Sequence, residues 1–178
     1  MANPLALSAK LFAGAIIHFA AEAAGTSDLV TKPIAGSALW LELLGCNSAA
    51  HKPVKVTEAY DEVDANTGWR EGKDEYTVAD VFEVKTRYTT GLYEQLRYGL
   101  AAAIVQGTPQ TPFVKSDRKI RGWVNVQRRM SDGQDRNVLA IFCEVRAMDP
   151  PADEKKTQEP MFELRVIYST LQSINWPA

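Results

Sequence analysis

The strongest signal along the chain is a period of two. Val54, Val56 and Tyr60 alternate with Lys55 and Thr57. Tyr76, Val78, Phe82, Val84 and Tyr88 then share one face of a second run, whose other face carries Thr77, Glu83, Lys85 and Arg87. Successive side chains of a strand point to opposite faces, so this alternation predicts an antiparallel sheet with one packed and one wet face. Asp80 interrupts the apolar face and marks a bulge or an edge. Ile120, Val124 and Val126 share a face, with Trp123, Asn125 and Gln127 opposite. The Ser131-Asp132-Gly133 turn signal follows, and Leu139, Ile141, Cys143 and Val145 form the inward face of the return strand, giving a hairpin. Phe162, Leu164, Val166 and Tyr168 mark a final strand.

Between residues 90 and 106 the period lengthens. Leu92, Leu96, Leu100 and Ile104 recur at i+4, and Tyr93 broadens the stripe, which predicts a helix over 90–106. Thr89 or Thr90 caps its start, and Glu94 in the first turn suits the helix dipole. Gly107 fits the left-handed position past the end, and Pro109 blocks continuation. Gly99, inside the predicted helix, costs about 1 kcal/mol relative to Ala and permits a close backbone approach. The apolar run 11–23 is ambiguous: Ile16 and Ile17 favour a strand, and the alanines favour a helix. Gly25, Pro33 and Gly36 punctuate the next loop, Leu39 to Leu44 is a short apolar run closed by Gly45, and residues 149–160 form an exposed loop.

These elements predict a mainly β fold: an antiparallel β-sandwich or partly closed barrel with one flanking helix at about residues 90–106. Residues 1–36 supply an N-terminal arm and first strand, and residues 37–178 the sandwich, within a single domain. The length of 178 residues suits one domain, which buries roughly 70% of the surface an unfolded chain exposes and needs no disulfide or metal staple.

Charge narrows the function classes. The formal net charge of −2 excludes a whole-protein basic field for nucleic acid. Two cysteines, Cys46 and Cys143, are too few for a disulfide framework, and a reducing compartment is the simpler reading, with one bridge left open. The apolar stretch Leu11 to Ala24 is too short to span a bilayer. A signal peptide would want a basic start and an uninterrupted apolar core, whereas Met1 to Ala9 carries no basic side chain, and His18 and Glu22 interrupt the run. The cytoplasm of the producing cell is the default compartment.

No catalytic signature is present. There is no G-x-S-x-G elbow, P-loop, G-x-G-x-x-G or H-E-x-x-H. His18 and His51 lack partners at metal-ligand spacing, and Cys46 with His51 is a weak pair. Glu58, Asp61, Glu62 and Asp64 read as a solvated acidic loop rather than paired catalytic carboxylates. The chain is therefore expected to be a non-enzyme without cofactor or metal. Its charges are nevertheless segregated. Asp61, Glu62, Asp64, Glu71, Asp74 and Glu75 stand against Arg70 and Lys73, whereas Lys115, Arg118, Lys119, Arg121, Arg128 and Arg129 stand against Asp117. The basic stretch reads as a phosphate-binding strip, as a solvated strand face, or as the complement of the acidic hairpin on a neighbouring copy. Trp69 beside Arg70, in the glycine-flanked stretch 66–72, combines the two residue types most enriched at interface hot spots.

From about Trp40 to Tyr168 the pattern resembles the tail tube (major tail) proteins of long-tailed bacteriophages. The resemblance rests on Trp40-Leu-Glu-Leu-Leu-Gly-Cys46, on the acidic segment ending in Gly68-Trp-Arg-Glu-Gly-Lys73, on the run Tyr76 to Tyr88, on Leu92-Tyr-Glu-Gln-Leu-Arg-Tyr-Gly99, and on the paired strands that follow. It implies a structural virion protein of the tail, made in the host cytoplasm, that forms six-membered rings stacked into a DNA-conducting tube. Its partners would be copies of itself and other tail proteins. DNA would pass through the lumen without specific binding, and no membrane would be involved. The resemblance makes the stretch near Asp61 to Glu75 the long hairpin loop that reaches an adjacent ring, which makes Asp61, Glu62, Asp64, Trp69, Arg70 and Glu71 candidates for the contact between rings; the charge pattern offers Lys115, Arg118, Lys119 and Arg121 as a complementary basic strip. The alternatives are another virion component (a tail terminator or head decoration protein), a small-molecule-binding β-barrel or unrecognised enzyme, and a nucleic-acid module using Lys115 to Arg129.

Overall fold

The computed structural model describes residues 12–22, 32–33, 38–43, 46–64, 68–105, 107–130, 135–148 and 159–175. Eight strands form one antiparallel sheet: β1 (Phe12–Ala21), β2 (Leu41–Glu42), β3 (Cys46–Asp64), β4 (Gly68–Thr86), β5 (Lys119–Met130), β6 (Asp135–Met148), β7 (Met161–Val166) and β8 (Ser173–Asn175). The strand order is β2-β1-β5-β6-β7-β4-β3, and β8 pairs with β6 beyond the end of β7. The described strands do not close by hydrogen bonding, but the sheet curls until β1, next to one end of the order, and β3, at the other end, pack together. The ambiguous run at 11–23 is a strand, paired along most of its length with β5. The predicted turn at 131–133, residues 1–11 and most of the loop 149–160 lie outside the described residues.

The concave face holds the main core. Ile17, Phe19, Val84, Val124, Cys143, Val145, Phe162 and Leu164 are buried there, contributed by β1, β4, β5, β6 and β7. The helix α1 (Gly91–Tyr98) packs into this concavity through Tyr93 and Leu96. The Tyr93 ring meets Phe162 edge-on at 5.4 Å, and its hydroxyl donates to the Met148 carbonyl at 3.0 Å. Thr90 is the N-cap, its Oγ1 accepting from the Tyr93 N–H at 3.2 Å.

The helix is half the length its stripe predicts, ending at Tyr98 rather than near residue 106. Gly99 is the C-cap, in the left-handed conformation with φ 59°. The N–H groups of Gly99 and Leu100 both donate to the Gln95 carbonyl, which closes the last turn. The chain then doubles back: Phe113 N–H donates to the Tyr98 carbonyl at 2.7 Å, and Lys115 N–H to the Gly99 carbonyl at 2.9 Å. Leu100 stays buried through the turn, whereas Ile104 is exposed. The close approach at Gly99 is real, since a Cβ there would lie 2.4 Å from the Lys115 carbonyl oxygen. Gly99→Ala is therefore expected to cost about 2 kcal/mol or more, from the left-handed backbone and the contact together. Urea denaturation of the variant measures this.

The other face of the sheet is not uniformly wet. Trp123 and Phe142 are buried on it, their rings 5.4 Å apart, with Ala20, Trp40 and Ile167 packed around them. Lys32 lies over the Trp123 ring at 5.6 Å and donates to the Ser173 hydroxyl at 2.8 Å and the Leu171 carbonyl at 3.0 Å. Both faces at the centre of the sheet are thus covered.

Candidate assembly interface

The most conspicuous feature outside the cores is the β3–β4 hairpin. Its ladder continues from Cys46↔Thr86 out to Asp64↔Gly68. β7 supports β4 only from Val81 to Lys85. Among the described residues, 68–80 therefore pair with β3 alone, and at about 3.3 Å per residue this unsupported ribbon is about 40 Å long. The acidic segment expected to be a loop is mostly strand. Alternation with charged residues suits a ribbon with both faces in water, which explains why composition alone suggested a loop.

The base of the ribbon shows why it leaves the sheet there. Val54 pairs with Ala79 but Lys55 with Thr77, so Val78 is an extra residue, a bulge two positions from Asp80. Bulges bend a strand and increase its twist. Just below, His51 stacks on Phe82 at 4.8 Å, and its Nε2 lies 2.8 Å from Asp80 Oδ1. Pro53, opposite Asp80, sits on the edge strand β3, where a missing N–H costs no ladder bond. Above the bulge Lys55 pairs with Glu75, and the Tyr76 hydroxyl donates to Glu58 at 2.9 Å. Val54, Tyr76 and Val78 are each about half exposed.

Of the residues expected at the interface, Asp61 pairs in register with Glu71, Glu62 with Arg70, Val63 with Trp69 and Asp64 with Gly68. All six therefore lie on the outer part of the ribbon; their side chains are outside the described residues. The basic strip divides in two. Lys119 is 3.1 Å from Glu144, which Arg146 also contacts. Arg121 is 3.6 Å from Glu22 and covers the Phe142 ring. Lys115 and Arg118, by contrast, have no acidic partner among the described residues. Burial pushes the Glu144 carboxyl up, but the hydrogen bonds and charges of Arg146 and Lys119 prevail and hold it below the usual carboxylate range.

The other candidate chemistry is dispersed. Cys46 turns its thiol to the Ser48 carbonyl at 3.5 Å, away from any shared site with His51, which binds Asp80. Cys46 and Cys143 are both free thiols. Burial raises Cys46 to about 11 and raises Cys143 as well, so neither is a reactive thiolate at neutral pH. Among the described residues no group of three His, Cys, Asp or Glu is arranged to hold a metal, and no helix is long and apolar enough to cross a membrane. A cleft of about 480 Å³ lies between α1 and the ends of β1, β2 and β5, lined by Phe19, Leu43, Leu92 and Ile120 with Glu42 and Lys115 among its polar groups. Sequence periodicity gave no sign of it, because its walls come from elements far apart in the chain.

No family model matches the chain, and no curated protein does. Solved structures do align with it, among them a chain of the anti-feeding prophage (AFP) baseplate, determined by cryo-EM with six-fold symmetrisation, at 10% sequence identity. The alignment covers 99% of this chain and 98% of that one, with a TM-score of 0.39. A TM-score of that size does not establish a shared fold.

Proposed function

We propose that the chain is a non-enzymatic structural protein that assembles with copies of itself into stacked rings, as the subunit of a phage-type tail tube located in the virion. The observation that carries this reading is the unsupported β3–β4 ribbon. A two-stranded hairpin standing alone is marginally stable in water. A ribbon about 40 Å long, with Val54, Tyr76 and Val78 exposed at its base, gains stability by lying against another surface. Among the described residues β2 and β3 are edge strands, and their outer backbone groups are ones a neighbouring copy would satisfy. A heterologous contact of this kind makes rings when its rotation closes. The resemblance of Trp40 to Tyr168 to tail tube proteins selects rings stacked into a tube from among such assemblies. Lys119 and Arg121 already have acidic partners within the chain, which leaves fewer free cations for a nucleic-acid module and for a neighbour's acidic ribbon alike.

Negative-stain electron microscopy of the purified protein across a concentration series, with light scattering in parallel, tests the proposal. Hollow tubes or rings are the expected result; a sharp monomer or dimer at every concentration counts against it. Trp69→Ala combined with Arg70→Ala is expected to prevent tube growth while the monomer stays folded, since interface anchors of these types cost about 2 kcal/mol or more each when truncated. Normal tubes from the double variant would remove these two residues from the contact.

A further inference from the structure

The segment that returns from α1 to β5 carries a second feature, distinct from the ribbon. Phe113 has φ 61°, the only positive value at a non-glycine among the described residues. A bulky side chain is strained in that conformation, and glycine adopts it freely. The turn itself is required, because Phe113 N–H and Lys115 N–H close the end of the helix on the Tyr98 and Gly99 carbonyls. The phenyl ring is not required by the core, since Phe113 is 65% exposed. Glycine at this position would serve the turn better.

The ring is also held in place. Tyr98 meets it edge-on at 6.2 Å, and the Arg118 guanidinium lies over it at 5.6 Å. Arg97 in turn lies over the Tyr98 ring at 5.1 Å. The result is a row of cation, ring, ring and cation, with exposed Val114 beside it. Among the described residues no carboxylate pairs with Arg97, Arg118 or Lys115. Positioned aromatic and arginine side chains are the groups most enriched at binding hot spots, and holding them in advance lowers the ordering cost of binding.

We infer that the Arg97–Tyr98–Phe113–Arg118 row is a docking surface for a protein segment that carries carboxylates on either side of an aromatic or aliphatic side chain. The two guanidiniums match the flanking carboxylates, and the rings with Val114 match the apolar side chain. The partner's charge follows from these cations, which have no carboxylate partner among the described residues. The inference goes beyond the assembly reading and does not depend on it.

Biolayer interferometry with an immobilised, end-capped peptide in which two Asp-Glu pairs flank one phenylalanine tests this directly. The chain is expected to bind it, and not to bind the same peptide with lysine at each acidic position. Arg97→Ala with Arg118→Ala should weaken binding at least tenfold, and Phe113→Gly should do likewise. Phe113→Gly should also leave Tm unchanged or raise it by about 2–4 °C, which relief of roughly 1 kcal/mol of strain produces in a chain of this size. A fall in Tm would show that the ring serves the fold and would overturn the inference. Failure to bind the acidic peptide, or binding that the variants leave unchanged, would do the same. Tighter retention of a twelve-nucleotide oligo-dT through the same residues would also overturn it, assigning the surface to nucleic acid.

Discussion

Phe142→Ala is expected to cost about 3–5 kcal/mol, the range for truncating a fully buried phenylalanine. For a chain of this length that lowers Tm by roughly 6–20 °C. Phe142 points away from the main core, on the face of β6 that alternation predicts to be wet. A substitution on a solvated strand face stays within about 0.5 kcal/mol. The two expectations differ several-fold, so one urea or calorimetric unfolding curve separates them. The structure favours the larger value, because Phe142 is fully buried against Trp123, with Ala20, Trp40 and Ile167 completing the cluster. Arg121 lies over the Phe142 ring at 5.2 Å while ion-paired to Glu22, so the variant also removes the stack beneath a strip residue. A loss below about 1 kcal/mol would mean that this second cluster does not act as a core.

That disagreement shows what alternation conveys and what it conceals. Val124 and Val126, and Ile141 with Val145, lie inward as their period requires, and β5 and β6 are the predicted hairpin. Trp123 and Phe142 fall on the opposite parity. Seen along either strand alone, each is one large residue among smaller or polar neighbours on that face. Register places them directly across from each other, and the segments around Trp40 and Ile167 roof them over. Those contacts join segments far apart in the chain, which no local period records. The helix shows the opposite limit. Its apolar stripe continues to Leu100, and Leu100 is indeed buried, but through a turn. The ending is set by Gly99 and its contact with Lys115, a tertiary event visible in the sequence only as one glycine within a good stripe. The residues proposed for the contact were legible as unusual composition between Asp61 and Glu75. That they extend a paired ribbon became visible only once β7 was seen to support β4 no further than Val81.

Excising the outer ribbon should have the largest effect on assembly. Thr57 and Glu75 are register partners, so an Asn-Gly pair joining them replaces residues 58–74 with a two-residue turn suited to a hairpin. The body of the protein should be indifferent to this. β4 keeps its pairing with β7 from Val81 to Lys85, and the core residues Phe82 and Val84 are untouched. The Lys55–Glu75 pair survives, whereas the bond from Tyr76 to Glu58 is lost, an exposed contact worth about 1 kcal/mol or less. Tm should therefore change by no more than about 2–4 °C. Stacking into tubes should fail altogether, because the deletion removes both acidic and aromatic candidates for the contact between rings. Light scattering at the highest concentration reached by the parent chain would then report only single subunits or isolated rings. Tubes from the shortened chain would show that stacking uses the sheet edges or the α1 side, with the ribbon left as a free appendage. A shortened chain that fails to fold would show instead that the ribbon stabilises its own subunit, contrary to the marginal stability expected of two strands alone.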